Sequence, residues 1–214
     1  MSNDPGNPRR RIDELRARLP RLDEDSLSLI FSAAHTHNGW RDEPVTDRTL
    51  EAIFDLAKLG PTSLNCCPAR FVFVRSREAK ERLRPALSPG NVDRTMAAPV
   101  TAVIGFDERF FDHFGFLFPG RAGVGERFAA NPAVAHETAF RNGTLQGAYF
   151  IIAARALGLD TAPMSGFDQA RVDAEFFAGT ATRSNFLCNL GYGESSMVRA
   201  RLPRFAYAQV CRAI

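Results

Sequence analysis

The longest helical pattern in this sequence leads directly into a sharp turn, and the two together restrict the fold. Residues 133–157 show helical spacing, with small residues such as Gly143 and Gly147 that permit close approach of other elements. Residues 158–167 (Gly-Leu-Asp-Thr-Ala-Pro-Met-Ser-Gly-Phe) then predict a short strand and a tight turn. Pro163 fixes its own φ there, and Gly166 permits a close backbone approach. A strand between two helices favours a sheet covered by helices.

The same turn supplies candidate binding groups. The backbone N–H groups of Met164, Ser165 and Gly166, next to Pro163, can point at a flat, polar ligand beside the turn. A plain helix-to-strand connection is the alternative for this segment taken alone.

The rest of the chain divides into a short extension and one domain. Residues 1–22 are rich in Pro, Arg, Asp and Glu and predict a flexible or partly helical extension, followed by a single domain over residues 23–214. Within it, the patterns predict helices at 25–34, 46–59, 77–87, 106–118 and 172–177, strands at 71–75, 99–106 and 185–192, and a loop at 120–132. The Phe-rich helix at 106–118 is expected in the core, with a subunit contact or a lid over a pocket as alternatives.

Composition argues against several classes of protein. Apolar residues make up 45% and charged residues 24% of the chain, which are ordinary globular values. The net charge of +3 is small and the basic residues are dispersed, so we expect no nucleic-acid partner. No apolar run reaches the ~20 residues of a membrane span, and none follows the arginines at 9–11 as in a secretory signal. We therefore expect no membrane association.

The cysteines and histidines do not form a metal-binding pattern. Cys66 and Cys67 are adjacent, which fits neither a CxxC redox pair nor a zinc site, so we expect free thiols in a cytoplasmic protein. Catalysis by the Cys67 thiol is the alternative to simple burial. His35 and His37 lie two residues apart without a third ligand at suitable spacing, so a site for a phosphate or sugar, or a loop anchored by Trp40, fits them better than a metal.

Two further segments carry polar groups suited to a nucleotide. Arg199 and Arg201 would project to the same side of an extended segment and could meet one phosphate, although a solvated basic stretch is the alternative. Ser63 and Asn65 lie between prolines in residues 61–68, where they could bind a heterocycle or simply cap a loop. The chain has no glycine-rich dinucleotide fingerprint and no phosphate-binding loop, so any nucleotide would be held by scattered loops.

Taken in order, these segments resemble the FMN-dependent nitroreductase family. The matching segments are residues 35–40, 61–68, 91–94, 158–167 and 199–203, within a resemblance that covers roughly residues 25–212. Within the family, the phrases Thr-His-Asn-Gly-Trp-Arg and Pro-Met-Ser-Gly-Phe-Asp are similar to the malonic semialdehyde reductases of pyrimidine degradation. The chain departs from the family pattern at His35, Cys67 and Ser165, where the family usually has Arg, Gln and an acidic residue.

The resemblance implies an α+β fold in which helices flank a mixed, mainly antiparallel sheet. It also implies an intertwined homodimer with FMN at the interface. By the same resemblance the cofactor-binding residues are His35, Thr36, His37, Ser63, Asn65, Asn91, Arg94, Pro163, Met164, Ser165, Gly166, Arg199 and Arg201.

Each group of these residues has an implied role. Arg199 and Arg201, helped by His35 and Thr36, would hold the FMN phosphate. Ser63 and Asn65 of the partner would meet the ring or the ribityl chain. The amides of Ser165 and Gly166 would face flavin O4 and N5, while Asn91 and Arg94 would lie near N1 and O2, where positive charge stabilises the reduced anion.

The implied reaction needs no nucleophilic side chain. NADH or NADPH would reduce FMN and leave, and a small acceptor would then take the hydride. For the subgroup this acceptor is malonic semialdehyde, which yields 3-hydroxypropionate. The alternatives are a reductase of nitro compounds or quinones, and a flavin-binding protein without catalytic activity.

Overall fold

The computed structural model describes residues 7–214, which form two compact units. The first unit ends at Ala34 and the second comprises His35–Ile214. The predicted boundary between residues 22 and 23 therefore lies inside the first unit. Residues 1–6 of the predicted extension lie outside the described residues.

The first unit contains two short helices whose beginnings are fixed by side-chain caps. Helix α1 (Pro8–Arg18) starts with proline, and the Asn7 side chain accepts a hydrogen bond from the Arg9 backbone N–H at 3.1 Å. Helix α2 (Glu24–Leu27) is capped by Asp23 and continues as a π-helical turn (Ser28–Ser32). The helix predicted at 25–34 is thus present, with a wider final turn.

The second unit contains four strands and eight α-helices among its described residues. In chain order they are α3 (Asp47–Ala57), β1 (Ala69–Val74), α4 (Arg77–Leu83), α5 (Pro89–Ala97), β2 (Val100–Asp107), α6 (Phe114–Leu117), α7 (Val124–Ala129), α8 (Pro132–Ala156), β3 (Asp160–Met164), α9 (Gln169–Phe176), β4 (Thr182–Gly191) and α10 (Tyr207–Val210).

The four strands form one antiparallel sheet in the order β1-β2-β4-β3, which confirms the predicted α+β class. All eight residues of β2 are buried, because helices cover the centre of the sheet on both faces. We expected a sheet with both parallel and antiparallel pairs. Within residues 7–214 the parallel pairing is limited to one bridge between Thr36 and Thr161, on the outer edge of β3.

Helix α8 lies directly on this sheet, and its glycines allow the short distance between the helix and strands β2 and β4. A Cβ at Gly143 would come within 2.8 Å of the Phe106 Cβ, and one at Gly147 within 2.6 Å of the Phe186 ring. The predicted use of small residues for close approach is therefore confirmed, with β2 and β4 as the neighbouring elements. The helix runs within one residue of the predicted bounds at each end.

Predictions between residues 86 and 132 were less accurate. Helix α5 was not predicted, and the predicted loop at 120–132 contains α7. The predicted helix at 106–118 is wrong: β2 extends to Asp107, and a 3-10 turn (Phe110–His113) leads into α6. A single straight helix would not place Phe110, Phe114 and Phe128 together, whereas the broken path brings their rings to centroid distances of 5.0–5.9 Å.

Candidate functional site

The turn after β3 is held by groups at the start of α5. The Gly166 carbonyl accepts hydrogen bonds from the Ser88 backbone N–H at 3.1 Å and from Asn91 Nδ2 at 2.7 Å. A Cβ at Gly166 would lie 2.7 Å from Asn91 Nδ2, so glycine is required here by the approach of the Asn91 side chain. The sequence indicated the close approach but not its partner.

Pro163, Met164 and Ser165 present mainly backbone to the outside of the turn. The Met164 side chain is buried, and its Sδ accepts a hydrogen bond from Thr95 Oγ1 at 3.5 Å, so this side chain serves the core. Ser165 is exposed just beyond the strand. Because Pro163 has no N–H, the donors of this edge are confined to the residues that follow it.

Arg94 lies beside this turn in a half-buried position. Its Nη2 donates to Asn91 Oδ1 at 2.5 Å and its Nη1 to Asn38 Oδ1 at 3.4 Å, while its buried Nε has no hydrogen-bond partner. Burial lowers the pKa of Arg94, and the positive charge of Arg199 lowers it further. The predicted residues Asn91, Arg94 and Arg199 are therefore brought together.

The second predicted arginine, Arg201, is close to a cation that the sequence analysis missed. Burial lowers the pKa of Arg155, at the end of α8, and the charge of Arg201 acts in the same direction. Two half-buried arginines, Arg94 and Arg155, thus each lie within electrostatic range of an exposed arginine of the C-terminal segment. Arg155 could have been found as the one charge in an otherwise apolar helix end, residues 150–157. Convergence of Arg199 and Arg201 on one phosphate stays a prediction.

His37 points into the protein and is held by a carboxylate. Its Nε2 lies 3.1 Å from Asp160 Oδ1, and the other oxygen of Asp160 accepts from the Gly193 backbone N–H at 2.9 Å. The ring lies against Gly193, where a Cβ would be 1.9 Å from His37 Nδ1. The residue is 8% exposed, and its buried Nδ1 has no hydrogen-bond partner, so its contact with a cofactor stays a prediction.

The neighbours of His37 are more accessible. Thr36 is exposed and His35 is half-buried, so both remain candidates for a phosphate. Trp40, at the end of this segment, donates from Nε1 to the Arg94 carbonyl at 3.2 Å. The predicted anchoring role of Trp40 is confirmed, and its anchor is the helix that carries Arg94.

The loop at residues 61–68 is unusually strained. Leu64, Asn65 and Cys67 all have positive φ values, of 52°, 52° and 38°, although none is glycine. The Ser63 backbone N–H donates to Asn142 Oδ1 at 2.8 Å on α8. Asn65 Nδ2 donates to the Leu117 carbonyl at 2.7 Å. Within one chain these two predicted residues thus contact α8 and the Phe-rich segment, and their contact with a partner's cofactor stays a prediction.

A cavity of about 760 Å³ opens beside the Phe-rich segment. Its walls include Phe111, Phe114 and Phe118 together with Arg109 and Arg121. The hydrogen bond from Asn65 to Leu117 links this wall to the strained loop. The carboxylates of Asp112 and Glu126 also line the cavity. Phe110 and Phe114 are buried in one hydrophobic cluster, so the core role expected for this segment is confirmed for these two side chains, and the lid stays an alternative.

The four cysteines are free thiols, as predicted. Burial raises the pKa of Cys66 to about 11 and that of Cys188 to about 12, so both are protonated at neutral pH. Cys67 is half-buried, and its Sγ donates to Asn65 Oδ1 at 3.5 Å. These contacts explain the cysteines as parts of the loop and the core.

Comparison with protein-family models shows to which family the chain belongs. A model of the nitroreductase family matches residues 35–192. The chain belongs to the nitroreductase family. Nitroreductase-family sequences include a Burkholderia lata protein provisionally named NADH dehydrogenase/NAD(P)H nitroreductase, which is 57% identical over 191 residues, or 89% of this chain and 97% of that protein.

Solved structures of this nitroreductase fold agree with the architecture described above. A Bacillus subtilis protein provisionally described as a nitroreductase superposes with a TM-score of 0.76 at 17% identity, covering 90% of this chain and all of that one. An Exiguobacterium sibiricum protein of similar description, solved in complex with FMN, gives 0.75 at 16% identity, covering 91% and 99% of the two chains. At these identities the two structures establish the fold.

Among residues 7–214, none of the helices is long and apolar enough to span a membrane. The same residues contain no group of three or more His, Cys, Asp or Glu side chains placed to hold a metal ion.

Proposed function

We propose that this nitroreductase-family protein is an FMN-dependent NAD(P)H oxidoreductase that works as a homodimer. The observation that carries the proposal is the Arg94–Arg199 pair beside the 163–166 turn. The two guanidinium groups repel each other, and the half-buried Arg94 has an Nε without a hydrogen-bond partner. An anion between the two groups would stabilise both of them. FMN supplies negative charge at its phosphate and, once reduced, at its ring.

The residues of the site fit FMN in three respects. Arg199, together with the accessible Thr36 and His35, would offer cations and donors for the phosphate. The amides after Pro163 offer donors to the edge of a flat ring. Arg94, held by Asn91 and Asn38, offers a fixed positive charge at the other edge.

The chemistry is then divided between cofactor and protein. Bound FMN supplies the hydride acceptor and donor. Arg94 would favour negative charge beside it, and the 163–166 turn would orient the ring. This division agrees with the buried, protonated state of Cys66 and the structural contacts of Cys67.

We propose malonic semialdehyde as the acceptor, on the strength of the subgroup phrases at residues 36–41 and 163–168. A nitro compound or quinone is the second candidate, favoured by the name of the 57% identical Burkholderia lata protein and by the aromatic cavity wall. The carboxylate of malonic semialdehyde would find Arg121 at the cavity rim, since Arg109 is already paired with Asp112, whereas an aromatic acceptor would use the phenylalanines.

The homodimer is supported by the C-terminal segment. Leu202, Phe205, Tyr207, Val210 and Ile214 are all more than 60% exposed within the described chain. So many large apolar side chains in thirteen residues form a surface that a second copy would cover.

Cofactor extraction tests the proposal directly. The purified protein should be yellow, and the released flavin should be FMN at about one per chain, because each chain carries one Arg94–Arg199 pair. NADH or NADPH should bleach it under anaerobic conditions, and added malonic semialdehyde should restore the colour. Restoration by nitrofurans or quinones alone would favour the second acceptor, and a colourless protein that FMN cannot reconstitute would refute the proposal.

The Arg94→Ala variant should lower the midpoint potential of bound FMN. Without this positive charge the reduced form loses about 1.4 kcal/mol, which for two electrons corresponds to roughly 30 mV. Anaerobic titration with a reference dye measures the shift. Arg10→Ala, which removes an exposed arginine of α1, serves as the control. An unchanged potential would remove Arg94 from the ring site.

The Cys67→Ser variant should retain turnover, because the reaction assigns no step to a thiol. Serine keeps a donor that can reach Asn65 Oδ1, so the loop is expected to survive. Steady-state NADPH oxidation and FMN content are measured together. An inactive variant with normal FMN content would show that the thiol takes part in the chemistry.

A further inference from the structure

Lys80 is a buried lysine that the proposed reaction does not use. It lies on α4 at 3% exposure, and its Nζ donates to the Thr95 carbonyl at 2.6 Å, the Ala98 carbonyl at 2.9 Å and Thr101 Oγ1 at 2.8 Å. Burial lowers the pKa of Lys80 to about 7. The three acceptors nevertheless match the three donors of an ammonium group, and a neutral amine would leave one acceptor unpaired.

The choice of lysine at this position stands out against the composition. Of the 27 basic residues other than histidine only Lys58 and Lys80 are lysine, and all others are arginine. A guanidinium is planar and larger, whereas an ammonium can donate to three acceptors around one point. The geometry at residue 80 therefore requires lysine specifically.

The acceptors of Lys80 include the last carbonyls of helix α5, which would otherwise lack partners. The Thr95 and Ala98 carbonyls lie at or beyond the last turn of the helix, where a positive charge is also favoured by the helix dipole. The ammonium thus fixes the C-terminal end of the helix whose earlier turns carry Asn91 and Arg94.

A chain of hydrogen bonds extends from Lys80 to Arg94 itself. Thr101 Oγ1 accepts from Lys80 and donates to Asn189 Oδ1 at 2.7 Å. Asn189 Nδ2 donates to the Arg94 carbonyl and to Thr95 Oγ1, both at 3.2 Å. Asn189 and Thr101 are fully buried, so each donor in this chain has a defined acceptor.

We infer that Lys80 is a positioning residue for the cofactor site, acting through the end of α5 and through Asn189 on the placement of Arg94. This inference rests on the proposed function, because the position of Arg94 matters through the flavin. A polar network in which every donor is used has one arrangement, and it transmits that arrangement to the helix. Removal of the ammonium leaves three buried acceptors unpaired and frees the helix end to shift.

The first test uses the protein without added cofactor. Trp40 is the only tryptophan of the chain, and its Nε1 donates to the same Arg94 carbonyl, so its emission reports on this end of α5. Lys80→Met keeps the length of the side chain and should shift the Trp40 emission maximum. Lys58→Met removes the exposed lysine that is paired with Asp55 and is the matched control. It should leave the Trp40 emission maximum unchanged.

The second test measures FMN in a double-mutant cycle. Lys80→Met should raise the FMN dissociation constant about tenfold, a coupling typical of residues in one network, and should lower the midpoint potential in the same direction as Arg94→Ala. In the Arg94→Ala background, Lys80→Met should change neither quantity further. If Lys80→Met does not fold, Thr101→Val cuts the same chain conservatively and should give the same effects at smaller size.

The outcomes separate this inference from the proposed function. In one outcome the wild-type protein binds FMN, and a folded Lys80→Met protein has the same FMN dissociation constant and midpoint potential as wild type. This result would overturn the positioning role of Lys80 alone. Additive effects of the two substitutions would overturn it as well, because Lys80 would then act without Arg94. Failure of the wild-type protein to bind FMN would overturn the proposed function and this inference together.

Discussion

Removal of residues 202–214 is expected to convert the homodimer that we propose into a monomer. The five exposed apolar side chains of this segment would each contribute about 1.5–3 kcal/mol if a partner buried them. Two such segments together reach about 15–30 kcal/mol, which matches or exceeds the cost of association of about 4–15 kcal/mol. We therefore expect the truncated chain to dimerise at least about a thousandfold more weakly, which sedimentation velocity at micromolar concentration measures.

A matched control separates this segment from general loss of apolar surface. Leu59 and Leu202 are each 75% exposed, so Leu59→Ser removes an equally exposed leucine outside the C-terminal segment and should leave the dimer intact. A truncated protein that remains dimeric would place the dimer interface elsewhere.

Gly193→Ala is expected to destabilise the fold by about 3 kcal/mol or more, near the upper range for overpacking. The new Cβ would lie 1.9 Å from Nδ1 of the buried His37 ring, which Asp160 holds in place. The ring has no room to move without breaking the contact with Asp160. Urea unfolding followed by circular dichroism measures the loss.

Gly115→Ala provides the comparison for this substitution. A Cβ at Gly115 meets no atom within 4 Å, and its backbone has no positive φ, so the free energy of unfolding should change little. Equal stabilities of the two variants would show that the His37 ring is free to rotate away from Gly193.

The fold was predictable where one periodicity dominated a segment. The small-residue spacing of α8 and the apolar runs of β2 and β4 are visible without any tertiary information. Residues 106–118 failed because phenylalanines at helical spacing are also compatible with a broken path around Phe110. The loop predicted at 120–132 is interrupted by helix α7, and Gly123, with a φ of 79°, is the N-cap residue of that helix.

The candidate site was predictable as far as its residues come from motifs. Asn91, Arg94, Gly166 and Arg199 are gathered in the structure as the order of the segments implied. Lys80 could not be found in this way, because its role depends on burial beside elements distant in sequence, and Arg155 is marked in the sequence only as one charge in an apolar helix end. His37 shows the converse, since a histidine within a motif can face inward when a distant carboxylate, here Asp160, holds it.

The two edges of the sheet have different consequences for handling the protein at high concentration. At β3 the Thr36 bridge and Pro163 hinder the addition of another strand. At β1 the sequence Phe-Val-Phe-Val at 71–74 has the composition of an aggregation-prone segment, and Arg70 and Arg75 flank it as charged gatekeepers. Precipitation during storage should therefore begin at β1, and neutralising Arg70 or Arg75 should accelerate it.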